Sequence, residues 1–355
     1  IDNVILGLQQ NNGLVLDRDA ARKRLLDFSE RYGLHVDPDA KIWQLSIGDR
    51  QRVEILKALY REVEVLILDE PTSVLTPQET NELFATIRKL VDRGLSVIFI
   101  THNLEEALAI TDRVTVLRDA EVIDTLPTAS TSKNKLARLM VGREVLFRLK
   151  REPYKENARH EVLRVNDLVV AGDRGTMAVQ GVSFSVNSGE IVGIAGVDGN
   201  GQSELVHALS GLRPVERGTF SINGREMQNA SPRRILQSGT GHIPENLEEA
   251  LVGDFTLVEN LMLNRHYTPE FSRMGILDEE QMNRASVRLI QEYNVRTSGE
   301  KARANTLSGG NKQKLVVARE LSRDPELLIA AHPTKGIDIG AEEDIRNLLL
   351  ERRHE

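Results

Sequence analysis

Residues 45–76 read LSIGDRQRVEILKALYREVEVLILDEPTSVLT, and residues 307–338 read LSGGNKQKLVVARELSRDPELLIAAHPTKGID. The two stretches align without a gap when Ser46 is placed on Ser308, at an offset of 262 residues. Each runs from a serine through a helical pattern into a short apolar segment, which indicates a helix followed by a buried strand. The period is far longer than that of a solenoid repeat, so the chain is predicted to contain two homologous α/β domains.

The two copies differ at the positions that carry chemical groups. After its apolar segment the first copy has Asp69 and Glu70, whereas the second has Ala331 and His332. Conversely, the second copy has two glycines after its serine, where the first has Ile47 followed by one glycine. We therefore predict two related domains with unequal chemical equipment.

The repeat also predicts the domain boundaries. Residues 1–6, IDNVIL, resemble residues 258–263, VENLML, so the first domain is expected to begin at a point well inside the second. We predict the later part of a first domain at residues 1–126, a linker at 127–160 and the earlier part of a second domain at 161–355, both truncated. Buried strands are predicted at residues 63–68, 95–100 and 191–195 from their continuous apolar character.

Composition excludes several classes of protein. The 355 residues include 53 acidic and 46 basic side chains, which argues against a nucleic-acid-binding surface. The chain has no cysteine, so disulfides and cysteine-ligated metals are excluded. No apolar run approaches the length of about 18 residues that a membrane span requires, so no direct span is predicted.

A glycine-rich loop follows the third predicted strand and precedes a helix, which is the context that a phosphate-binding P-loop needs. Its glycines let backbone N–H groups turn toward an anion, and the helix end adds partial positive charge. Ser203 stands where a hydroxyl would bind Mg²⁺, but Gln202 replaces the usual lysine and supplies no point charge. The residues predicted to hold phosphate are Gly196, Val197, Asp198, Gly199, Asn200, Gly201, Gln202 and Ser203.

Acidic residues at the end of the first copy's strand indicate catalysis. Because the carboxyl ends of strands in an α/β sheet face the ligand crevice, Asp69 is predicted to hold Mg²⁺ and Glu70 to polarise a water. His102 follows the next strand and is placed to sense a terminal phosphate. Ala331 cannot hold a metal, and His332 is interpreted as a residue released from catalysis.

Together, LSGGNKQ, LILDEPT, Thr101-His102 and GVDGNGQS resemble the ATP-binding cassettes of ABC transporters. The tandem pair with an LSIG signature and a GVDGNGQS loop is similar to the ATPase subunit of bacterial simple-sugar and nucleoside importers, and Glu245 stands where a Q-loop glutamine is expected. The resemblance implies P-loop NTPase (RecA-like) cassettes in tandem, each with an antiparallel β and a helical subdomain. It also implies that ATP contacts the signature residues Ser308, Gly309, Gly310 and Gln313 in one cassette and Ser46 and Gly48 in the other.

The resemblance further implies an asymmetric enzyme. In such proteins each nucleotide lies between the Walker motifs of one cassette and the signature of the other. Glu70 would pair with the Ser308 signature in a competent site, and Gln202 with the Ser46 signature in a degenerate one. The implied cofactors are ATP and Mg²⁺, and the implied partners are integral-membrane permease subunits and, through them, a solute-binding protein. The implied location is peripheral, on the cytoplasmic face of the cell membrane.

Two alternatives remain open from the sequence. The first is a non-transport ABC ATPase that acts on ribosomes or DNA, against which the acidic balance and the unequal motifs argue. The second is a non-catalytic binding module, and the 355-residue piece by itself is expected to be inactive because its complete P-loop lacks the catalytic acids.

Overall fold

The computed structural model describes residues 1–6, 17–45, 47–73, 75–144, 160–173, 175–196 and 199–353. It divides into two compact units, Ile1–Val145 and Leu146–Glu355. Among the helices of these described residues, none has the length and apolar character needed to cross a membrane. The predicted boundaries of the two domains and of the linker stay predictions, because residues 145–159 lie outside the described ranges.

The first unit contains a parallel strand pair, an antiparallel hairpin, six α-helices and two short 3-10 helices in its described residues. Its elements are α1 (Asp2–Ile5), α2 (Arg18–Tyr32), α3 (Ile47–Leu59), β1 (Val65–Asp69), α4 (Pro77–Val91), β2 (Ser96–Ile100), α5 (Leu104–Ile110), β3 (Arg113–Arg118), β4 (Glu121–Pro127) and α6 (Lys133–Val141). β1 pairs parallel to β2 with Asp69 opposite Ile100, and β3 pairs antiparallel to β4. The core lies between the first three helices, β1 and α4, and includes Leu56, Leu66 and Leu90.

Local sequence signals explain where the helices of this unit begin and end. Asp17 caps α2 by accepting a hydrogen bond from the Ala20 backbone N–H, and Gly33 ends it in a left-handed conformation with φ of 69°. Thr76 and Glu79 form a reciprocal capping box at the start of α4.

The prediction that the first two strands are buried was wrong. β1 and β2 both exist, but outward-facing residues of β1 are exposed, with Val65 at 50% and Ile67 at 62%. Ile98 and Ile100 of β2 are exposed in the same way. Because successive side chains of a strand point to opposite faces, the packed core covers one face of this two-stranded sheet and leaves the other apolar face open.

The second unit combines an antiparallel sheet, a parallel strand pair and a helical region. Its elements are β5 (Glu161–Ala171), β6 (Met177–Asn187), α7 (Gln202–Leu209), β7 (Arg217–Ile222), β8 (Arg225–Glu226), α8 (Pro232–Gln237), β9 (Thr240–Ile243), α9 (Leu247–Ala250), α10 (Leu257–Met262), β10 (Ser272–Arg273), β11 (Ile276–Leu277), α11 (Glu279–Glu292), α12 (Gly309–Leu321), β12 (Leu327–Ala330) and α13 (Ile339–Arg352). The antiparallel sheet has the order β6-β5-β7-β8, and β9 pairs parallel to β12.

Two separate apolar cores hold this unit together. One lies between the antiparallel sheet and α7 and includes Leu168, Leu205 and Phe220. The other is largely helical and includes Leu261 and Leu315. The sheet supports the start of α7, and the helical core supports the start of α12, so each predicted binding loop rests on its own packed layer.

The predicted buried strand at residues 191–195 is a further correction. These residues form no strand, and their side chains are exposed, with Ile191 at 58% and Ile194 at 54%. None of the strand pairings found among the described residues includes this segment. An apolar run gains a buried strand conformation only when neighbouring strands and helices cover it, and here they do not.

Candidate nucleotide-binding sites

The end of β1 brings the two predicted catalytic side chains of the first unit together. The Glu70 backbone N–H donates to the Ile100 carbonyl at 2.9 Å, which extends the parallel pairing beyond Asp69. His102 follows the neighbouring strand, and its Nδ1 lies 2.5 Å from Glu70 Oε1. Both side chains are partly exposed, so the carboxylate can reach a water while the imidazole holds its other oxygen. Asp69, the predicted Mg²⁺ ligand, lies beside them at the exposed strand end.

Backbone conformation at Glu70 is unusual for a residue with a side chain. Its φ is 44°, in the left-handed region that non-glycine residues rarely adopt. The Ser73 N–H donates back to the Glu70 carbonyl at 3.3 Å and closes a turn after the strand. Such strain persists where the surrounding structure holds it, and here the turn and the β2 pairing do so.

Glu106 is a residue that the sequence reasoning missed. From α5, its Oε2 accepts hydrogen bonds from the hydroxyls of Thr72, at 2.6 Å, and Thr101, at 3.2 Å. Its Oε1 accepts from Asn103 Nδ2 at 2.9 Å. One carboxylate therefore ties the loop after β1 to the loop after β2, on either side of the Glu70 and His102 pair. The spacing of Asn103 at a helix start and a glutamate three residues later could have indicated it.

The predicted P-loop of the second unit is a tight glycine turn at the start of α7. Gly199 and Gly201 have φ of 82° and 96°. A Cβ at Gly201 would lie 2.4 Å from the Ala178 carbonyl oxygen, so only glycine fits between this loop and β6. Asn200 lies between these glycines. Val197 and Asp198 lie outside the described residues.

Gln202, at the first position of α7, folds back over the loop. A Cβ built on Gly196 would meet the Gln202 amide nitrogen at 1.9 Å, so the amide lies directly against that glycine. The amide can donate to a phosphate oxygen, but it carries no charge. Ser203, the next residue, directs its hydroxyl toward Glu245, with 3.5 Å between Oγ and Oε2.

Glu245 also connects this loop to the turn after β12. Its Oε1 accepts from Lys335 Nζ at 2.6 Å. The Lys335 ammonium, by hydrogen bonding, is the main cause that lowers the pKa of the Glu245 carboxyl, and His332 and Ser203 contribute in the same direction. The second unit therefore places an anionic carboxylate and a lysine at the P-loop, where Ala331 offers no acid.

The predicted signature residues of the second unit begin α12. Ser308 is the N-cap residue, but its exposed side chain makes no capping hydrogen bond to the backbone, and its Oγ accepts from Asn311 Nδ2 at 2.9 Å. A Cβ on Gly309 would lie 3.4 Å from the Gly336 carbonyl oxygen, and one on Gly310 would contact the start of α13 at the same distance. Both distances correspond to an ordinary van der Waals contact, so the packing around the start of α12 does not by itself require glycine at either position.

The remaining predicted signature residues are placed differently. Gln313 is 2% exposed inside the helical core, so this conformation does not present it to a ligand, and its contact with nucleotide stays a prediction. Gly48 lies in the first turn of α3, and Ser46 lies outside the described residues. Arg50 donates to the carbonyls of Ile42 and Leu45 and so fixes the turn before this helix, a role that the sequence did not indicate.

Proteins bind Mg²⁺ through one or two carboxylates and the phosphates of the substrate. Asp69 satisfies this in the first unit. In the second unit Ser203 can offer a hydroxyl, but Ala331 and His332 offer no carboxylate. No cluster of three or more His, Asp or Glu side chains suited to a metal occurs in the part of the chain that the structure describes. Each unit therefore offers one carboxylate toward Mg²⁺, Asp69 in the first and Glu245, beside Ser203, in the second.

Comparison with known proteins places these loops in a family. The family model described as "ABC transporter" matches residues 4–73 and 179–335. The chain is 44% identical over its full length to 70% of the nucleoside import ATP-binding protein NupA of Lactococcus lactis subsp. cremoris (strain MG1363). It is 47% identical, over 99% of its length, to 69% of the guanosine import ATP-binding protein NupO of Bacillus subtilis (strain 168).

A third relative is named for a different solute. The chain is 45% identical, over 96% of its length, to 62% of the glucose import ATP-binding protein TsgD13 of Haloferax volcanii (strain ATCC 29605). The family model covers more than half of the chain, and relatives of this similarity extend along nearly all of it. The chain therefore belongs to the ABC transporter family and has the fold of its P-loop ATP-binding cassettes.

Proposed function

We propose that this chain forms part of an ATPase subunit that energises import of a small polar solute, a nucleoside or a simple sugar, through two tandem cassettes. The observation that carries the proposal is the Glu70 and His102 pair, 2.5 Å apart at the ends of adjacent parallel strands. The import proteins named above are its similar relatives, and two of the three act on nucleosides by name, which favours that class of solute.

Glu70 is the proposed general base. A carboxylate that holds a water in line with a phosphate raises its reactivity and accepts its proton in the transition state. His102 engages Oε1 and leaves Oε2 of the same carboxylate for that water. His102 would also donate toward the terminal phosphate, so that the pair aligns water and phosphate together.

Phosphate binding is the proposed role of the glycine-rich loop in the second cassette. Backbone N–H groups at Gly199 to Ser203 would face the phosphates at the start of α7. The tight turn that presents them cannot accept a side chain at Gly201. Ser203 would offer its hydroxyl to Mg²⁺ at this loop, and Asp69 would hold Mg²⁺ in the site of the first cassette, where the charge of the ion would offset that of the phosphates.

Unequal sites follow from the unequal motifs. We propose that the site built on Asp69, Glu70 and the Ser308 signature hydrolyses ATP. The site built on Gln202, Ala331 and the Ser46 signature would bind nucleotide without turning it over. The differences that the chain displays, at Gln202, Ala331, His332 and Ile47, all fall in one site, which supports an asymmetric enzyme.

Permease subunits in the membrane are the proposed partners, with a solute-binding protein reached through them. ATP would close the cassettes and move the permease, and hydrolysis at Glu70 would reset it. This implies a peripheral location on the cytoplasmic face of the membrane. No nucleic acid partner is proposed, since the net charge is −7.

The test is solute uptake by cells lacking the full-length gene, complemented with the wild-type gene or with Glu70→Gln. Labelled guanosine, ribose and glucose would be compared in the same strain. We expect uptake of one solute class to depend on the gene and to be lost with Glu70→Gln. Normal uptake of all three in the deletion strain would contradict the transport proposal.

A second measurement separates the remaining alternatives. Membrane and ribosome fractions of the same cells would be assayed for the protein. Recovery with ribosomes would favour a non-transport ABC ATPase. The purified 355-residue piece, in turn, is expected to show no magnesium-dependent phosphate release above background.

A further inference from the structure

In the second unit a lysine from outside the P-loop contacts Glu245, the carboxylate that faces the P-loop. Lys335 lies in the turn after β12, which the hydrogen bond from its own N–H to the His332 carbonyl closes at 3.0 Å. Its Nζ donates to Glu245 Oε1 at 2.6 Å, while Oε2 of the same carboxylate lies 3.5 Å from Ser203 Oγ. One carboxylate thus links the ammonium to the first turn of α7.

The neighbouring positions lack the charges that a phosphate site ordinarily uses. Gln202 holds its amide against Gly196 and contributes no positive charge. Ala331 and His332 provide no carboxylate for a metal. A triphosphate bound at this loop would therefore need a cation from another part of the unit.

We propose that Lys335 supplies that cation: it leaves Glu245 and binds the terminal phosphates when nucleotide enters the second cassette. This inference rests on the proposed nucleotide site of that cassette. It makes binding there less dependent on Mg²⁺, because the ammonium supplies the charge of the P-loop lysine that Gln202 lacks.

Exchange of Lys335 from carboxylate to phosphate is physically reasonable. The lysine is 40% exposed in its ion pair, and an ion pair this accessible to water is held weakly. A lysine stem is long and flexible, and its ammonium is a compact charge with three donors. A phosphate group carries more negative charge than the Glu245 carboxylate and therefore competes well for the Lys335 ammonium.

The repeat supports the same assignment. Lys335 aligns with Ser73 of the first unit, at the offset that aligns His332 with Glu70. The cation therefore occurs in the copy that has lost its acids, and a serine occupies its place in the copy that keeps them. A lysine beside the acids of the first unit would instead compete with Mg²⁺ for Asp69.

The experiment is photolabelling of the complete protein with 8-azido-ATP, in EDTA and in Mg²⁺, with the label mapped to peptides of residues 160–353. Wild type would be compared with Lys335→Ala, Lys335→Arg, Gln202→Lys and the double variant Gln202→Lys/Lys335→Ala. Lys301→Ala, an exposed lysine elsewhere in the unit, is the matched control. Thermal unfolding would verify that each variant is folded.

We expect wild type to label in EDTA nearly as well as in Mg²⁺. Lys335→Ala should lower apparent affinity about tenfold or more, the scale for a charge-assisted hydrogen bond. Lys335→Arg should retain most of the wild-type affinity, and the double variant should recover most of the affinity that Lys335→Ala loses. Lys301→Ala should leave the affinity unchanged. Rescue by a lysine at position 202 is an effect that a purely structural role of Lys335 would not produce.

Other outcomes separate this inference from the proposed function. If wild type labels within residues 160–353 but Lys335→Ala labels equally, the nucleotide site stands and the role of Lys335 is wrong. If wild type labels there only with Mg²⁺, and Glu245→Gln abolishes this, Glu245 is a metal ligand and the inference is overturned. If wild type takes no label there at all, the proposed second nucleotide site fails together with the inference.

Discussion

The ends of β1 and β12 have the same backbone and different chemistry. Glu70 and His332 occupy equivalent positions of the repeat, and their φ angles are 44° and 45°. In both, the residue three positions later donates its N–H back to their carbonyl, Ser73 in one turn and Lys335 in the other. The strained turn is therefore retained in a copy whose side chain no longer suits hydrolysis.

The surroundings of the two turns explain the difference. Glu70 has His102 at 2.5 Å, and Glu106 ties together the loops that carry the pair, so the Glu70 carboxylate is held in one orientation. Its counterpart, His332, faces an environment in which Glu245 and Lys335 already neutralise each other. The two turns therefore share φ angles and a closing hydrogen bond and differ in the side chains around them.

The largest expected effect comes from the two signatures. Ser308→Arg adds bulk and charge where the proposed competent site closes on ATP, so solute uptake should fall to background. Ser46→Arg should lower nucleotide affinity at most, because the proposed degenerate site has no transition-state interaction to lose. Uptake and ATPase rate of the two variants would be measured side by side. A greater loss with Ser46→Arg would reverse the assignment of the two sites.

A second contrast uses the equivalent turn positions. Glu70→Gln should reduce steady-state phosphate release by roughly a hundredfold or more, the scale for a positioned general base. His332→Ala should change it little. The full-length protein would be assayed with its membrane partners present. Equal losses in the two variants would contradict the asymmetric interpretation.

Much of the catalytic end could be predicted from the sequence because it is encoded locally. The Asp69-Glu70 pair follows an apolar strand, and the P-loop glycines are needed for a turn that a Cβ would block, as at Gly201. Glu106 and Lys335 were not found, since their partners lie 34 and 90 residues away in the sequence. The local spacing from Asn103 indicates Glu106 only as a helix-capping residue, and the contacts with Thr72 and Glu245 depend on how strands are arranged in space.

The burial of strands was the main error, and its cause is also non-local. Residues 191–195 and β1 have the same apolar composition as fully buried strands, but burial depends on which elements cover them. Ile67 and Ile191 lie on faces that no packed layer covers in the described residues. Apolar composition predicts that a segment prefers burial, but it does not specify which elements will cover that segment.

A smaller effect is expected at Glu106, which holds the loops of the first unit together. Glu106→Ala should lower kcat about tenfold, because hydrogen bonds to a charged acceptor contribute about 1.5–3 kcal/mol and these position Thr72 and Thr101. Glu106→Gln should lie between the wild type and the alanine variant. Nucleotide affinity should be nearly unchanged in both. A matching fall in thermal stability and in affinity would show that Glu106 serves only the fold.

The smallest expected effect is a pH dependence of stability at His242 in β9. Burial lowers the pKa of this imidazole below its ordinary value of 6.5, and its Nε2 has no hydrogen-bond partner within the described part of the chain. As the pH falls below 6.5, the unfolded chain takes up a proton at this position before the folded chain does. Stability should therefore decline from about pH 6.5 down through the lowered pKa, and His242 should have no effect above that range.

Substitution of His242 separates this contribution from those of the other histidines. His242→Gln should lower the melting temperature at neutral pH, because it disturbs a packed strand, and should flatten its decline between pH 6.5 and 5. His266→Gln, at an exposed position, is the matched control and should leave the wild-type slope intact. An unchanged slope in His242→Gln would mean that water reaches the buried imidazole through local opening of β9. The strand that leads to Glu245 would then open more readily than its packing implies.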